Sequence, residues 1–184
     1  MGAPCLLGII TIPYLLGHLG REALGILTLV WTLIGYFSLF DFGLGRGLTQ
    51  QVATKLATGL GKQVPSLVKT GLLLTTATGL IGGVLLACLA NVLGYKWLNV
   101  NISLQQSTVH SLLIASLGIP LTTLTVGLRG VLEAYEDFKS VNLLRILLGV
   151  ANFGLPVLSI MVFGPSLVIA VTSLIVARLI SLGA

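Results

Sequence analysis

Apolar runs of bilayer-crossing length fill almost the whole chain, which excludes a soluble globule before any motif is considered. A helix needs about 20 apolar residues to cross a hydrocarbon core. Five stretches of this kind, and a sixth that reaches the last residue, follow one another at 3–16, 24–44, 70–93, 108–128, 141–163 and 166–184. The first is short and begins almost at Met1. It lacks the basic n-region and small-residue cleavage site of a signal peptide, so it reads as a helix one whose beginning is missing. The sixth reads as an unfinished helix. The expected fold class is therefore an all-α integral membrane protein with about six transmembrane helices, residues 1–184 forming a single helical lobe.

Composition agrees. Hydrophobic residues make up 55% of the chain and charged residues only 8%, against about 25% charged in soluble domains. The net charge of +5 does not point to nucleic acid, because the cations are spread over the connections without interleaved aromatics. Arg46, Lys55, Lys62 and Lys69 lie between segments two and three, and Arg129, Lys139 and Arg145 between four and five. The alternate connections hold only Arg21 and Lys96. That asymmetry assigns the basic loops, and with them the N-terminus, to the cytoplasm. The connection 47–57 has helical spacing and no breaker before Gly59, so segment two is expected to continue as a helix past the membrane surface.

Polar and small residues fall on stripes at steps of three and four. Segment five offers Asn142, Arg145, Gly149, Asn152, Pro156 and Ser159; segment four offers Ser111, Ala115, Gly118, Thr122, Thr125 and Arg129; segment two offers Gly35, Ser38, Asp41, Gly45 and Thr49. Small residues let helices approach closely, and Gly79 with Gly83 has the GxxxG spacing that does so. Buried charge is harder to explain that way, since it costs about 2.5–3.5 kcal/mol at the bilayer centre on insertion scales. Such residues normally face a partner or a watery cavity. The candidate cavity residues are Asp41, Arg46, Arg129, Asn142, Arg145, Asn152 and Arg178, and the three stripes are expected to converge on one groove.

Catalytic and metal signatures are missing from the sequence: there is no HExxH, GxSxG or GxxxxGK[ST]. Cys5 and Cys88 stand apart, with neither a CxxC nor a Cys/His grouping. His18 and His110 have no carboxylate near them in sequence. Glu133, Glu136 and Asp137 read as a solvated loop face paired with Lys139. An enzyme is not expected, nor a cofactor or a metal.

Three strings carry a family resemblance. Tyr14-Leu15-Leu16-Gly17-His18-Leu19-Gly20-Arg21-Glu22-Ala23-Leu24-Gly25 is similar to the outward turn between helices one and two of bacterial polysaccharide-unit flippases. Phe40-Asp41-Phe42-Gly43-Leu44-Gly45-Arg46-Gly47-Leu48-Thr49 resembles their D-x-G-(L/I)-x-x-(A/G)-(L/V)-(T/V) segment at the cytoplasmic end of helix two. Gly130-Val131-Leu132-Glu133-Ala134, with Phe138, Asn142 and Arg145, resembles their junction between helices four and five. The chain thus resembles the oligosaccharide-unit (O-antigen flippase-like) branch of the multidrug/oligosaccharidyl-lipid/polysaccharide exporter superfamily. The resemblance implies two six-helix lobes around a central cavity, of which this chain supplies the N-terminal one. It also implies alternating access, and transfer of an undecaprenyl-pyrophosphate-linked oligosaccharide across the bacterial inner membrane. Expected partners are that lipid-linked oligosaccharide, membrane lipids and the missing C-terminal lobe. Within the same superfamily a multidrug or lipid II exporter is the alternative. A membrane-embedded enzyme and a structural membrane subunit are the others.

Overall fold

The computed structural model describes residues 2–37 and 43–183. The described residues form helices joined by short turns, with no strand. In chain order the helices are α1 (Gly2–Phe37), α2 (Leu44–Ala57), α3 (Val64–Val92), α4 (Ile102–Ala134), α5 (Phe138–Phe163) and α6 (Leu167–Gly183). The segments 61–97, 102–134 and 138–163 are long and apolar enough to cross a membrane, and α6 is a shorter apolar helix.

Helix α1 is two arms. Gly20 has φ 81 and ψ 168, a backbone region open in practice to glycine alone. Phe153 on α5 shows where the arms go. A Cβ at Gly8 would lie 3.4 Å from its ring, and the Trp31 ring centroid is 5.4 Å from its own. In an unbroken helix those two positions would be about 35 Å apart, so the chain reverses at Gly20 and segments one and two form an antiparallel pair. Leu15 from one arm and Leu27 from the other are both fully buried in the same core. Beside this turn, the Asn101 backbone N–H donates to the Glu22 carboxylate. The turn after segment one and the connection before segment four therefore share one end of the bundle, as alternation requires.

One expectation is corrected here. Segment two does not run unbroken into the following connection, because Gly43 adopts a left-handed conformation (φ 75) immediately before α2. The helical spacing of 47–57 is real, but it belongs to a separate amphipathic helix. Leu48 and Val52 lie on one face and pack with Val64 and Ala134 in a second, smaller core. Gln50, Gln51, Thr54 and Lys55 line its other side. The helix stops where the sequence places the breaker. Gly59 is left-handed (φ 74), and the Leu60 and Gly59 N–H groups bond the carbonyls of Lys55 and Leu56, a Schellman closure.

Helices α4 and α6 are central. Helix α4 packs most extensively on α3 and next on α6, while α5 leans mainly on α6 and α1 and only slightly on α4. Small residues set the α3–α4 distance. A Cβ at Gly79 would stand 2.1 Å from Thr123 Oγ1 and 2.8 Å from the Pro120 Cα, and one at Gly83 would stand 2.7 Å from the Ser116 carbonyl oxygen. The GxxxG spacing is thus a close-approach surface. The outer faces of α3 and α5 carry exposed Leu, Ile and Val, among them Leu80, Ile81, Val84, Leu143, Ile146 and Leu147, as lipid contact demands.

Candidate functional site at the α4–α5 elbow

Helix α4 ends at Ala134 and α5 starts at Phe138. The tight connection holds Glu136 at φ 59, a left-handed position uncommon outside glycine. Asp137 caps α5 by accepting from the Ser140 N–H at 3.2 Å. Hydrogen bonds from the Ser140 side chain and backbone, with the charge of Lys139 added, hold the Asp137 carboxyl below its ordinary range against a smaller opposing effect of desolvation.

One helical turn before the elbow, Glu133 gathers two of the candidate arginines. Arg145 Nη2 donates to its Oε1 at 2.9 Å. Arg129, four residues earlier on the same helix, brings Nε to 3.5 Å of that oxygen, too far for a hydrogen bond, and this Nε is buried without a hydrogen-bond partner. Among the described residues both ion pairs belong to Glu133. For Glu133 the expected pairing with Lys139 is not what forms, because the i,i+4 spacing on α4 and the facing turn of α5 put arginines closer. Two guanidinium groups against one carboxylate leave a positive excess. With side chains 31–45% exposed, each pair is worth only about 0.2–1 kcal/mol.

Beside this cluster lies a cavity of about 240 Å³ between α4, α5 and α6, lined by Thr125, Arg129, Leu132, Leu144 and Ser181 among others. The Ser181 hydroxyl bonds the Arg178 carbonyl at 2.8 Å. Arg178 itself is half-buried, its Nε sealed from solvent without a partner. A larger apolar groove of about 460 Å³ runs between the outer halves of α5 and α6, past Leu155, Leu158, Val162, Phe163, Ile169 and Val176. No charged residue lines it.

The remaining candidates are dispersed. Asp41 lies outside the described residues, as does Ser38 of the same stripe. Arg46 is exposed on α2, and Asn142 is exposed one turn before Arg145. Asn152 turns inward, its Oδ1 buried without a partner; so is Trp31 Nε1, on the residue that meets Phe153. The expectation that three stripes converge on one groove is not what the helices do. The α4 stripe is a packing face: Ser111 and Ala115 are fully buried, and a Cβ at Gly118 would collide with Ile175 of α6 at 2.4 Å. Its threonine hydroxyls turn back on their own helix, Thr122 to the Gly118 carbonyl and Thr125 to the Leu121 carbonyl, both at 2.7 Å, the usual way a buried Thr satisfies itself, while the Ser111 hydroxyl is buried without a hydrogen-bond partner. Gly45 of the segment-two stripe is likewise a contact, its carbonyl oxygen 3.0 Å from where a Cβ at Gly130 would lie.

Sequence reasoning missed Glu133 as the hub and Ser181 as a cavity wall. The first had a signal in the Arg129–Glu133 spacing; the second depends on how α6 docks and had none.

With this geometry in hand, comparison with protein families decides the class, because the MatE family matches residues 6–158. The chain belongs to the MatE family. MatE proteins are membrane transporters of the multidrug/oligosaccharidyl-lipid/polysaccharide exporter superfamily, and the chain is accordingly a multi-pass membrane protein. No curated protein and no solved structure matches it.

Proposed function

We propose that this MatE protein moves an undecaprenyl-pyrophosphate-linked oligosaccharide across the bacterial inner membrane, with the headgroup received at the α4–α5 elbow. The observation that carries the reading is the convergence of Arg129 and Arg145 on Glu133 beside a cavity that also offers Ser181. A pyrophosphate crossing a low-dielectric region needs cationic partners, and the guanidinium fork gives phosphate oxygens paired, charge-assisted hydrogen bonds. Arg46 on the neighbouring α2 and Arg178 on α6 add positive charge along the approach. The lipid chain stays against the apolar outer faces.

The reading includes a cytoplasmic N-terminus and a cytoplasmic elbow, in line with the seven cations on that side. It includes a second six-helix lobe, as the resemblance implies. A cationic-drug exporter of the same family would instead need a membrane-embedded carboxylate, for which Asp41 is the candidate.

The test is export of surface glycan in cells carrying Arg145→Ala, Arg129→Ala or Arg46→Ala at normal membrane abundance. Arg145→Ala is expected to lower export at least about tenfold, equivalent to about 1.4 kcal/mol of lost stabilisation, and Arg46→Ala to lower it less. Undiminished export by both Arg145→Ala and Arg129→Ala, or drug resistance in place of glycan export, overturns the reading.

A further inference from the structure

Resting on that reading, we propose that Glu133 is a positioning residue that stands in for the headgroup: it occupies Arg129 and Arg145 between cargoes and yields them to a prenyl-linked pyrophosphate. Both guanidinium groups converge on a single oxygen, at 2.9 and 3.5 Å. The longer contact makes no hydrogen bond, and Arg129 Nε is left as a buried donor with no acceptor. Each guanidinium presents five N–H donors in a fixed fork, so one carboxylate under-serves the pair. A pyrophosphate brings more negative charge and more acceptor oxygens, and it can satisfy both forks at once. The exchange is open because the carboxylate is held weakly: Glu133 and Arg145 are 31% and 45% exposed, and half-exposed pairs are screened by water and salt.

The same exchange has a mechanical side. Helix α5 rests mainly on α6 and α1 and touches α4 little, so the Glu133–Arg145 contact is a principal polar tie between the two helices at this end. When cargo arrives it takes the place of Glu133 between Arg145 on α5 and Arg129 on α4, so the tie between the helices passes from the carboxylate to the ligand. The carboxylate also keeps the two like charges of Arg129 and Arg145 together while the site is empty.

The experiment measures binding of farnesyl pyrophosphate, and separately of inorganic pyrophosphate, to the purified full chain in nanodiscs. E133Q is expected to bind farnesyl pyrophosphate about tenfold more tightly than the unsubstituted protein, because a competing counter-ion is gone. Structural damage does not produce such a gain. R145Q is expected to lose binding, and the prenyl probe to bind more tightly than inorganic pyrophosphate. If E133Q fails to fold, E133D serves: its shorter side chain withdraws the carboxylate from Arg145, and about a threefold gain is expected. Unchanged or weaker binding by the folded glutamate variant, with R145Q abolishing it, overturns the counter-ion role and leaves the cargo site standing. Wild-type binding by both R129Q and R145Q means that the cargo-site reading itself has failed. Equal affinity for the two probes overturns the lipid as the source of the pyrophosphate.

Discussion

Helix α4 meets its two sequence neighbours in opposite ways. Against α3 the contact is glycine, threonine and proline, close enough that no side chain could be added at Gly79 or Gly83. Against α5 the contact is slight except for a shared carboxylate between two partly exposed arginines. The first interface draws its energy from van der Waals packing of backbones in a medium where the hydrophobic effect between helices is lost. It has one geometry. The second draws on charge in a half-wet place, where association is weak and exchangeable. A transporter needs both kinds, a body that keeps its shape and a contact that lets go.

The sharpest way to break this contrast is to wedge the rigid side. Gly79→Leu puts a branched side chain where even a Cβ would overlap the Pro120 backbone, and overpacking of this kind costs about 1–3 kcal/mol or more. Loss of the monodisperse peak on detergent size exclusion, or a large fall in melting temperature, is the expected outcome. Next comes the reversal between the two arms of α1. Gly20→Val meets no neighbour within 4 Å, so its cost is backbone strain alone, about 1–3 kcal/mol, again read as a lower melting temperature. Full stability in this variant would mean that the arms do not turn back at Gly20.

On the exchangeable side the effects on stability shrink. A double-mutant cycle with Glu133→Gln and Arg145→Gln is expected to return a coupling of about 0.2–1 kcal/mol, and several kcal/mol would show the elbow to be as fixed as the α3 face. Smallest is the cap. Because the Asp137 carboxyl is held below its ordinary value by the Ser140 bonds, its contribution is fully present above the unfolded value near about 3.9 and is lost as pH falls through the lower folded value. Asp137→Ala is expected to speed amide exchange at Ser140 and Val141 at neutral pH while leaving the rest of α5 unchanged. The difference from the unsubstituted protein should vanish in acid.

Hydropathy made the helical segments and their order legible, and cation counting made their alternation legible, because bilayer thickness and loop charge act on sequence directly. The Gly79–Gly83 approach was readable for the same reason, since a helix face follows from spacing alone. What the spacing could not say was which neighbour a stripe meets. The α4 stripe looked like one wall of a groove, yet its Thr122 and Thr125 hydroxyls bond their own backbone and its glycine admits Ile175. Amphipathic spacing likewise found the helix at 47–57 but not the left-handed turn at Gly43 that detaches it. Arg129 and Arg145 were picked out as charges at the membrane boundary. Their shared carboxylate emerged only when α5 folded back over the end of α4.

The elbow is the proposed place where cargo is held, and its most direct measurement is leaflet-to-leaflet transfer of a fluorescent glycan-pyrophosphate prenyl lipid by the full chain in proteoliposomes, compared with Arg129→Gln and Arg145→Gln. Transfer is predicted to fall steeply in both variants while melting temperature shifts little. Unaltered transfer by the two folded variants would contradict it.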